Sequence, residues 1–249
     1  MIIAVVLLIL FVVFVVIWWI REPRIFIFLW HKMAFSAREG QANFVDKKAI
    51  FSESSCLENN WRTIQNELEE VLREKYVLPR FHHLDKANHK ISFDTGPAWK
   101  AITLKAFDGW FDDNCKMFPK TVTMLKDMPS VTTAFFSILE PHVKIPGHTG
   151  KLSGLLRYHL GLSVPASPQC YIVVNGEKYQ WKEGEGVIFD DTFFHAVTND
   201  TDEYRIILLL DIKKKASVFF DTINNGILHL ITLSPMFKKA LKTGKIKTD

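Results

Sequence analysis

The second half of the chain is a series of short hydrophobic runs. From Val131 onward, runs rich in β-branched and aromatic residues are separated by turn signals, at 131–139, 155–164, 170–174, 178–181, 186–189, 193–198 and 204–212. Asn175-Gly176 separates two of these runs and is typical of a two-residue hairpin. Many short strands at this spacing predict a jelly-roll barrel, or double-stranded β-helix. The predicted fold class is therefore mainly β with flanking helices.

The first half of the chain has the spacing of helices instead. Apolar residues recur at helical intervals over 61–75, and Asn60 is expected to cap this helix. Phe118-Pro119-Lys120 predicts the start of a second helix, which runs to about Met128. Residues 79–98 are rich in His, Asp, Asn and Gly and are interpreted as an irregular loop.

The first 20 residues contain no charge, proline or glycine. Twenty residues at about 1.5 Å each span about 30 Å, the thickness of a hydrocarbon core. A cleaved signal peptide is the alternative, but no basic segment precedes the run and no small-residue cleavage site follows it. We predict a retained transmembrane helix at 1–20. Arg21 and Arg24 follow it, so the remainder of the chain is expected on the cytoplasmic side of a single-pass membrane protein.

The remainder divides into a juxtamembrane segment at 21–56, a double-stranded β-helix domain with N-terminal helices at 57–215, and a helical, basic tail at 216–249. The net charge of +4 is too small to indicate a nucleic-acid partner. The lysines of the tail are interpreted either as a solvated face or as residues attracted to anionic lipid headgroups. Three widely spaced cysteines without a CxxC motif predict neither a disulfide framework nor a zinc site.

Two histidines are the strongest candidates for chemistry. His148 opens the sequence His-Thr-Gly, and His195 closes the run Ile-Phe-Asp-Asp-Thr-Phe-Phe-His at 188–195. A non-haem Fe(II) oxygenase needs two neutral imidazoles and open coordination positions. A jelly roll can supply both imidazoles from distant strands that face one barrel interior. The pair therefore predicts an iron site.

An arginine lies ten residues after the second histidine, inside an apolar run. The planar guanidinium of Arg205 matches the two oxygens of a carboxylate, and burial without a partner would be costly. One interpretation is a site for a dicarboxylate co-substrate. The other is an internal salt bridge to Asp190, Asp191 or Asp211.

The segment 137–211 resembles the aspartyl/asparaginyl β-hydroxylase family of 2-oxoglutarate- and Fe(II)-dependent dioxygenases. The matching blocks are Phe136-Ser137-Ile138-Leu139, Pro146-Gly147-His148-Thr149-Gly150, Leu156-Arg157-Tyr158-His159-Leu160-Gly161-Leu162, Trp181-Lys182-Glu183-Gly184-Glu185, and Phe189-Asp190-Asp191 with His195 and Arg205.

This resemblance implies a role for each matching residue. His148 and His195 would bind Fe(II), and Arg205 with Ser137 would hold the distal carboxylate of 2-oxoglutarate. Arg157 and His159 would approach the metal-chelating end of the same molecule. His148, His195 and Arg205 would then be the catalytic residues of a hydroxylase that consumes O2. Asp190 and Asp191 are interpreted as a turn or as residues that orient a ligand imidazole.

Position 150 bears on the substrate. Most such enzymes carry a carboxylate ligand two residues after the first histidine, where this chain has Gly150. The peptide-hydroxylating branch tolerates glycine, so the β-carbon of Asp or Asn in a polypeptide is the expected target. The lipid A acyl-chain hydroxylases, which the chain resembles in its anchor and its Arg-Tyr-His-Leu-Gly-Leu block, carry the carboxylate. A lipid A-type acyl chain and a non-catalytic, membrane-tethered binding module are the alternatives.

Overall fold

The computed structural model describes residues 43–74, 76–81, 98–150, 152, 154–214, 221–222, 225–226, 228–229 and 232–246. The predicted membrane anchor at 1–20 and most of the juxtamembrane segment lie outside these residues. Among the helices described, none has the length and apolar character needed to cross a bilayer.

The strands form two antiparallel sheets that face each other. The strands are β1 (Phe44–Val45), β2 (Trp99–Ala106), β3 (Gly109–Trp110), β4 (Val131–Leu139), β5 (Val143–His148), β6 (Leu155–Ser163), β7 (Cys170–Val174), β8 (Glu177–Tyr179), β9 (Gly186–Phe189), β10 (His195–Asn199) and β11 (Arg205–Lys213). The larger sheet has the order β1-β9-β6-β11-β4-β2-β3, and the smaller has the order β5-β10-β7-β8. This arrangement is a jelly-roll barrel, as the alternation of short strands predicts.

The helices flank the larger sheet. They are α1 (Lys47–Ile50), α2 (Ser54–Asn59), α3 (Trp61–Arg73), α4 (Asp112–Cys115), α5 (Pro119–Lys126) and α6 (Pro235–Thr243). The Glu67 carboxylate of α3 accepts hydrogen bonds from the backbone N–H groups of Lys120 and Thr121, and so caps α5. Asn60 occupies the N-cap position of α3 as expected, but its side chain makes no capping bond and its amide donates to the Cys56 carbonyl instead.

Alternation along the strands creates two separate cores. In β11, Ile206, Leu208 and Leu210 pack toward the helices, together with Ile64 and Leu68 of α3. Ile207 and Leu209 point the other way, into the space between the two sheets. Arg205 has the same parity as Ile207 and Leu209, so its guanidinium also enters the barrel.

Candidate active site

Strand register brings the two predicted metal ligands together. His195 at the start of β10 lies directly opposite His148 at the end of β5. Their ring centres are 4.2 Å apart. We call this end of the barrel the mouth. Directly opposed residues on antiparallel strands have neighbouring side chains, so the pairing of two strands is sufficient to build the site.

Hydrogen bonds fix which nitrogen of each imidazole can bind a metal. Nδ1 of His148 is 2.9 Å from the Pro146 carbonyl oxygen, and Nδ1 of His195 is 2.9 Å from that of Phe193. A carbonyl oxygen only accepts, so each Nδ1 carries the proton and each Nε2 keeps a free lone pair. Burial lowers the pKa of His148, and burial together with the nearby His148 lowers the pKa of His195 to about 3. Both imidazoles are therefore in the neutral form that binds metals.

The space beside Gly150 is filled by another residue's carboxylate. A Cβ built on Gly150 would lie 2.3 Å from the carboxyl group of Asp191. The Gly150 N–H also donates to the Asp191 carbonyl oxygen at 2.7 Å. Among the described residues, no three His, Cys, Asp or Glu side chains are grouped closely enough to share a metal ion. The protein therefore offers two imidazole ligands, with Asp191 adjacent to them.

Arg157 is held by two carboxylates. Its guanidinium lies 3.0 Å from Asp191 and 3.0 Å from Asp211. Burial opposes the charge of Arg157, but Asp211 and Asp191 outweigh burial and raise its pKa. Burial raises the pKa of both Asp191 and Asp211. Arg157 thus joins β6 and β11 to the segment that precedes His195.

Asp190 closes the turn before His195. Its carboxylate accepts from the backbone N–H and the hydroxyl of Thr192, and Lys214 donates to it at 2.6 Å. The interpretation of this segment as a turn therefore describes Asp190 well. The turn is tied to the end of β11, so the backbone that carries His195 is fixed from two directions.

Arg205 is buried, and no carboxylate of the described residues pairs with it. It is 1% exposed, and Asp190, Asp191 and Asp211 form ion pairs with other residues. The salt-bridge interpretation of Arg205 is therefore wrong. Its Nη1 donates to the Ser137 hydroxyl at 3.3 Å, and its Nε has no hydrogen-bond partner in the part of the chain that the structure describes. Burial lowers the pKa of Arg205 to about 10.

A second unpaired donor faces the same cavity. The Trp181 indole N–H donates to Nδ1 of His159 at 3.3 Å, so the proton of the neutral ring is on Nε2. That Nε2 is buried and has no hydrogen-bond partner among the residues described, and burial lowers the pKa of His159 well below its usual value. The Trp99 indole donates to the Ser137 hydroxyl at 2.9 Å, which leaves the hydroxyl hydrogen free to donate. Sequence reasoning missed Trp99 and gave no role to Trp181, although Trp181 lies in one of the matching blocks, because nothing in their local sequence signals these contacts.

All the predicted site residues line one cavity between the sheets. Its wall contains His148, His195, Arg157, Ser137, His159 and Arg205, together with apolar residues that include Ile172, Phe189 and Leu209. A buried donor without a partner costs about 1–3 kcal/mol. Two such donors on one wall, beside a free hydroxyl, are accounted for by an anionic ligand that accepts from them. The donor set fits a diacid such as 2-oxoglutarate, and the two Nε2 atoms fit Fe(II).

A jelly-roll barrel with two neutral imidazoles beside an anion-accepting cavity is the architecture of a metal-dependent enzyme site. Residues 58–215 match the family described as aspartyl/asparaginyl beta-hydroxylase, and the chain belongs to this family. The resemblance in the sequence is confirmed. The chain is therefore a hydroxylase-family protein.

Two relatives illustrate the range of the family. The chain is 34% identical over 198 residues to the ornithine lipid ester-linked acyl 2-hydroxylase of Rhizobium tropici. The aligned residues make up 79% of this chain and 70% of that protein. It is 32% identical over 163 residues to the aspartyl/asparaginyl beta-hydroxylase of Homo sapiens, which covers 63% of this chain. The chain spans only 20% of the length of the human protein.

A solved cupin barrel has a weaker likeness. The Cupin 2 conserved barrel domain protein of Salinispora arenicola aligns with 56% of this chain and 92% of that chain, with 16% identity and a TM-score of 0.32. The assignment of the jelly roll depends on the strand order of this chain.

Proposed function

We propose that this protein is a 2-oxoglutarate- and Fe(II)-dependent dioxygenase that hydroxylates an unactivated carbon in the acyl chain of a membrane lipid. The observation that carries the cofactor assignment is the pair of opposed imidazoles beside the unpaired donors of Arg205 and His159. His148 and His195 would hold Fe(II) through Nε2. Fe(II) with 2-oxoglutarate supplies O2 activation coupled to oxidative decarboxylation, which yields succinate.

The protein residues position the co-substrate and keep water away. Arg205 and Ser137 would hold its distal carboxylate at the depth of the barrel. The Nε2–H of His159 would donate to an oxygen nearer the metal, and Arg157 stays with its two carboxylates at the edge of the cavity. Ile172, Phe189 and Leu209 form apolar walls that exclude water from the reacting carbon.

An exposed aromatic ring at the mouth supports a hydrocarbon substrate. The side chain of Phe194 is 61% exposed and immediately precedes His195. Its ring covers Gly147, where a Cβ would lie 2.1 Å from the ring, and Gly147 immediately precedes His148. The ring thus presents apolar surface beside both metal ligands. The long match to an acyl hydroxylase and the predicted anchor at 1–20 agree with a lipid substrate.

The β-carbon of Asp or Asn in a polypeptide is the second candidate. Gly150 favours it, because the peptide-hydroxylating branch has glycine at this position. In this chain the carboxyl group of Asp191 occupies the adjacent space, so Gly150 is also compatible with an active site for other substrates.

Incubation of the purified full chain with Fe(II), 2-oxoglutarate and O2 tests the proposal. Ornithine lipid in detergent should stimulate succinate release and gain one oxygen atom in an acyl chain, as measured by mass spectrometry. An Asp/Asn-containing peptide that is oxidised in place of the lipid would support the second candidate. Equal succinate release by wild type and His195→Ala would support a non-catalytic binding module.

The topology is part of the same proposal. A single-pass anchor with the barrel on the cytoplasmic side would hold the mouth near the inner leaflet. A reporter fused after Asp249 should be active in the cytoplasm, and activity only outside it would contradict this topology.

A further inference from the structure

A second groove lies away from the metal ligands, between α4 and the C-terminal helix α6. It has a volume of about 460 Å³ and is lined by Trp110, Asp113, Asn114, Lys238 and Lys242, among others. Lys238, Lys239 and Lys242 are exposed on α6. We call Trp110 and these three lysines the basic face. None of these residues has a part in the proposed reaction.

The position of α6 is fixed by its apolar side. Phe237 is buried, and a Cβ built on Gly109 would lie 2.3 Å from its ring. The ring also meets Phe111 edge to face, with ring centres 5.9 Å apart. At the other end, the Asn114 amide donates to the Gly244 carbonyl at 2.9 Å. Because α6 is anchored in this way, its lysines keep a constant outward orientation.

The three lysines have no carboxylate partner among the described residues. Asp113, which lines the groove, pairs with Lys116 and Lys245, and hydrogen bonds from Lys245 and Lys116 lower its pKa. The exposed Asp112 on the same rim offsets one of the three lysine charges, so the net charge of this surface is still positive. A cluster of free cations beside a tryptophan is complementary to an anionic, partly apolar surface.

The larger sheet places this basic face at the mouth end of the barrel. Asp211 pairs with Thr133 on one side and with Arg157 on the other. Arg157 reaches Asp191, which abuts Gly150 beside the metal ligands. The last residues of β11 and the first of β4 therefore lie at the mouth.

The β2–β3 hairpin lies at that same end. The Asp108 N–H in its turn donates to the Thr132 carbonyl at 3.0 Å, and Gly109 in the hairpin receives the ring of Phe237. Arg205 pairs with Leu139 at the opposite end of the same strands. A surface that covers the basic face would thus lie at the end of the barrel where His148 and His195 lie.

We infer that the basic face docks on the anionic phospholipid headgroups of a bilayer and turns the mouth toward the acyl chains. The purpose of this docking rests on the proposed function, whereas the docking itself rests on charge and placement. Each cation near an anionic surface strengthens binding about fivefold, so loss of all three should weaken docking about a hundredfold. Salt should weaken it as well.

Lysine footprinting on the full chain tests this inference. The protein is placed in nanodiscs of phosphatidylcholine, with or without phosphatidylglycerol, and acetylation is followed by mass spectrometry. Lys238, Lys239 and Lys242 should be protected several-fold by phosphatidylglycerol, and high salt should remove the protection. Lys144 and Lys182, at the opposite end of the barrel, should not change. Equal acetylation in both discs, or equal protection in both, would overturn the inference.

Charge reversal supplies the matched comparison. In Lys238→Glu/Lys242→Glu, Lys239 should react equally in both discs, while Lys144→Glu/Lys182→Glu should keep the protection of α6. Activity toward lipid in detergent should be equal in the two variants if both fold. Protection of α6 without any lipid hydroxylation would leave the docking intact and contradict the proposed substrate. Lipid hydroxylation without protection would contradict the docking alone.

Discussion

Replacement of each barrel arginine by methionine should separate a ligand-binding charge from a structural one. Among the described residues, Arg205 has one hydrogen bond, to Ser137, and no carboxylate partner, and its guanidinium lies 4.9 Å from the centre of the Trp181 ring. Methionine is apolar and of similar reach, so Arg205→Met removes a buried charge that no carboxylate compensates while keeping an apolar contact with Trp181. Removal of buried charges in favour of apolar groups is often neutral or stabilising by about 1–4 kcal/mol. The unfolding temperature of the ligand-free protein should stay constant or rise by a few degrees.

Arg157→Met is the matched control with the opposite result. It leaves Asp191 and Asp211 buried without their cation. Breaking a buried ion pair in this way costs about 3–5 kcal/mol. For a chain of this length, 1 kcal/mol shifts the unfolding temperature by about 2–4 °C. The expected fall is therefore roughly 10 °C.

The two variants should also differ in co-substrate binding. Loss of one partner of a buried charge pair costs about 2–5 kcal/mol, so Arg205→Met should bind 2-oxoglutarate at least about thirtyfold more weakly. Calorimetric titration with Mn(II) in place of Fe(II) measures this affinity, and differential scanning fluorimetry measures stability. If Arg205→Met destabilises the free protein as much as Arg157→Met and binds 2-oxoglutarate normally, the assignment of Arg205 is wrong.

Three further predictions concern the mouth. Gly150→Asp brings a second carboxylate against Asp191, and like charges about 4 Å apart repel by about 4 kcal/mol. Calorimetry should therefore detect lower stability without tighter metal binding, and Asp191→Gly added to the same chain should restore the stability. Tighter metal binding in the single variant would refute the reasoning. Between about pH 7 and about pH 5.5, the free energy of unfolding of the metal-free protein should fall by about 1 kcal/mol relative to that of His195→Gln. The reason is that His195 in the unfolded chain gains a proton in this range, while folded His195, with its pKa of about 3, does not. Equal pH slopes of the two proteins in denaturant unfolding would contradict this. Phe194→Ser should raise the lipid concentration for half-maximal rate about tenfold and leave the 2-oxoglutarate requirement unchanged. Tyr204→Ser, at another exposed aromatic residue, should change neither value. Equal effects of the two variants in steady-state kinetics would remove Phe194 from the substrate site.

Most strands of the barrel were predictable because each one is a short run rich in β-branched and aromatic residues, bounded by turn residues. All seven predicted runs are strands, with boundaries within two residues. β5 escaped prediction because Pro146-Gly147 looks like a turn, yet proline is tolerated on an edge strand, and β5 is at the edge of the smaller sheet. β2 escaped because Lys100 and Lys105 interrupt its apolar run. Lys105 is nevertheless buried, with its ammonium bonded to the Val131 carbonyl.

The candidate site was predictable in its residues more than in its contacts. His148, His195 and Arg205 are recognisable from the sequence blocks in which they lie. The contact between Asp191 and the space beside Gly150 joins positions 41 residues apart in sequence, and depends on how two loops meet at the mouth. No local pattern encodes such a contact. The same is true of the bond from Trp181 to His159, which selects the tautomer of a buried imidazole.

The depth of Arg205 beneath His148 and His195 has a kinetic consequence under the proposed function. An oxo-diacid bound to this guanidinium would enter past the two histidines, through the same opening that an acyl chain would fill. Turnover should therefore follow a compulsory order, in which the diacid binds before the lipid and succinate departs after the hydroxylated product. A lipid bound too tightly would then act as a plug, and excess substrate would slow the enzyme.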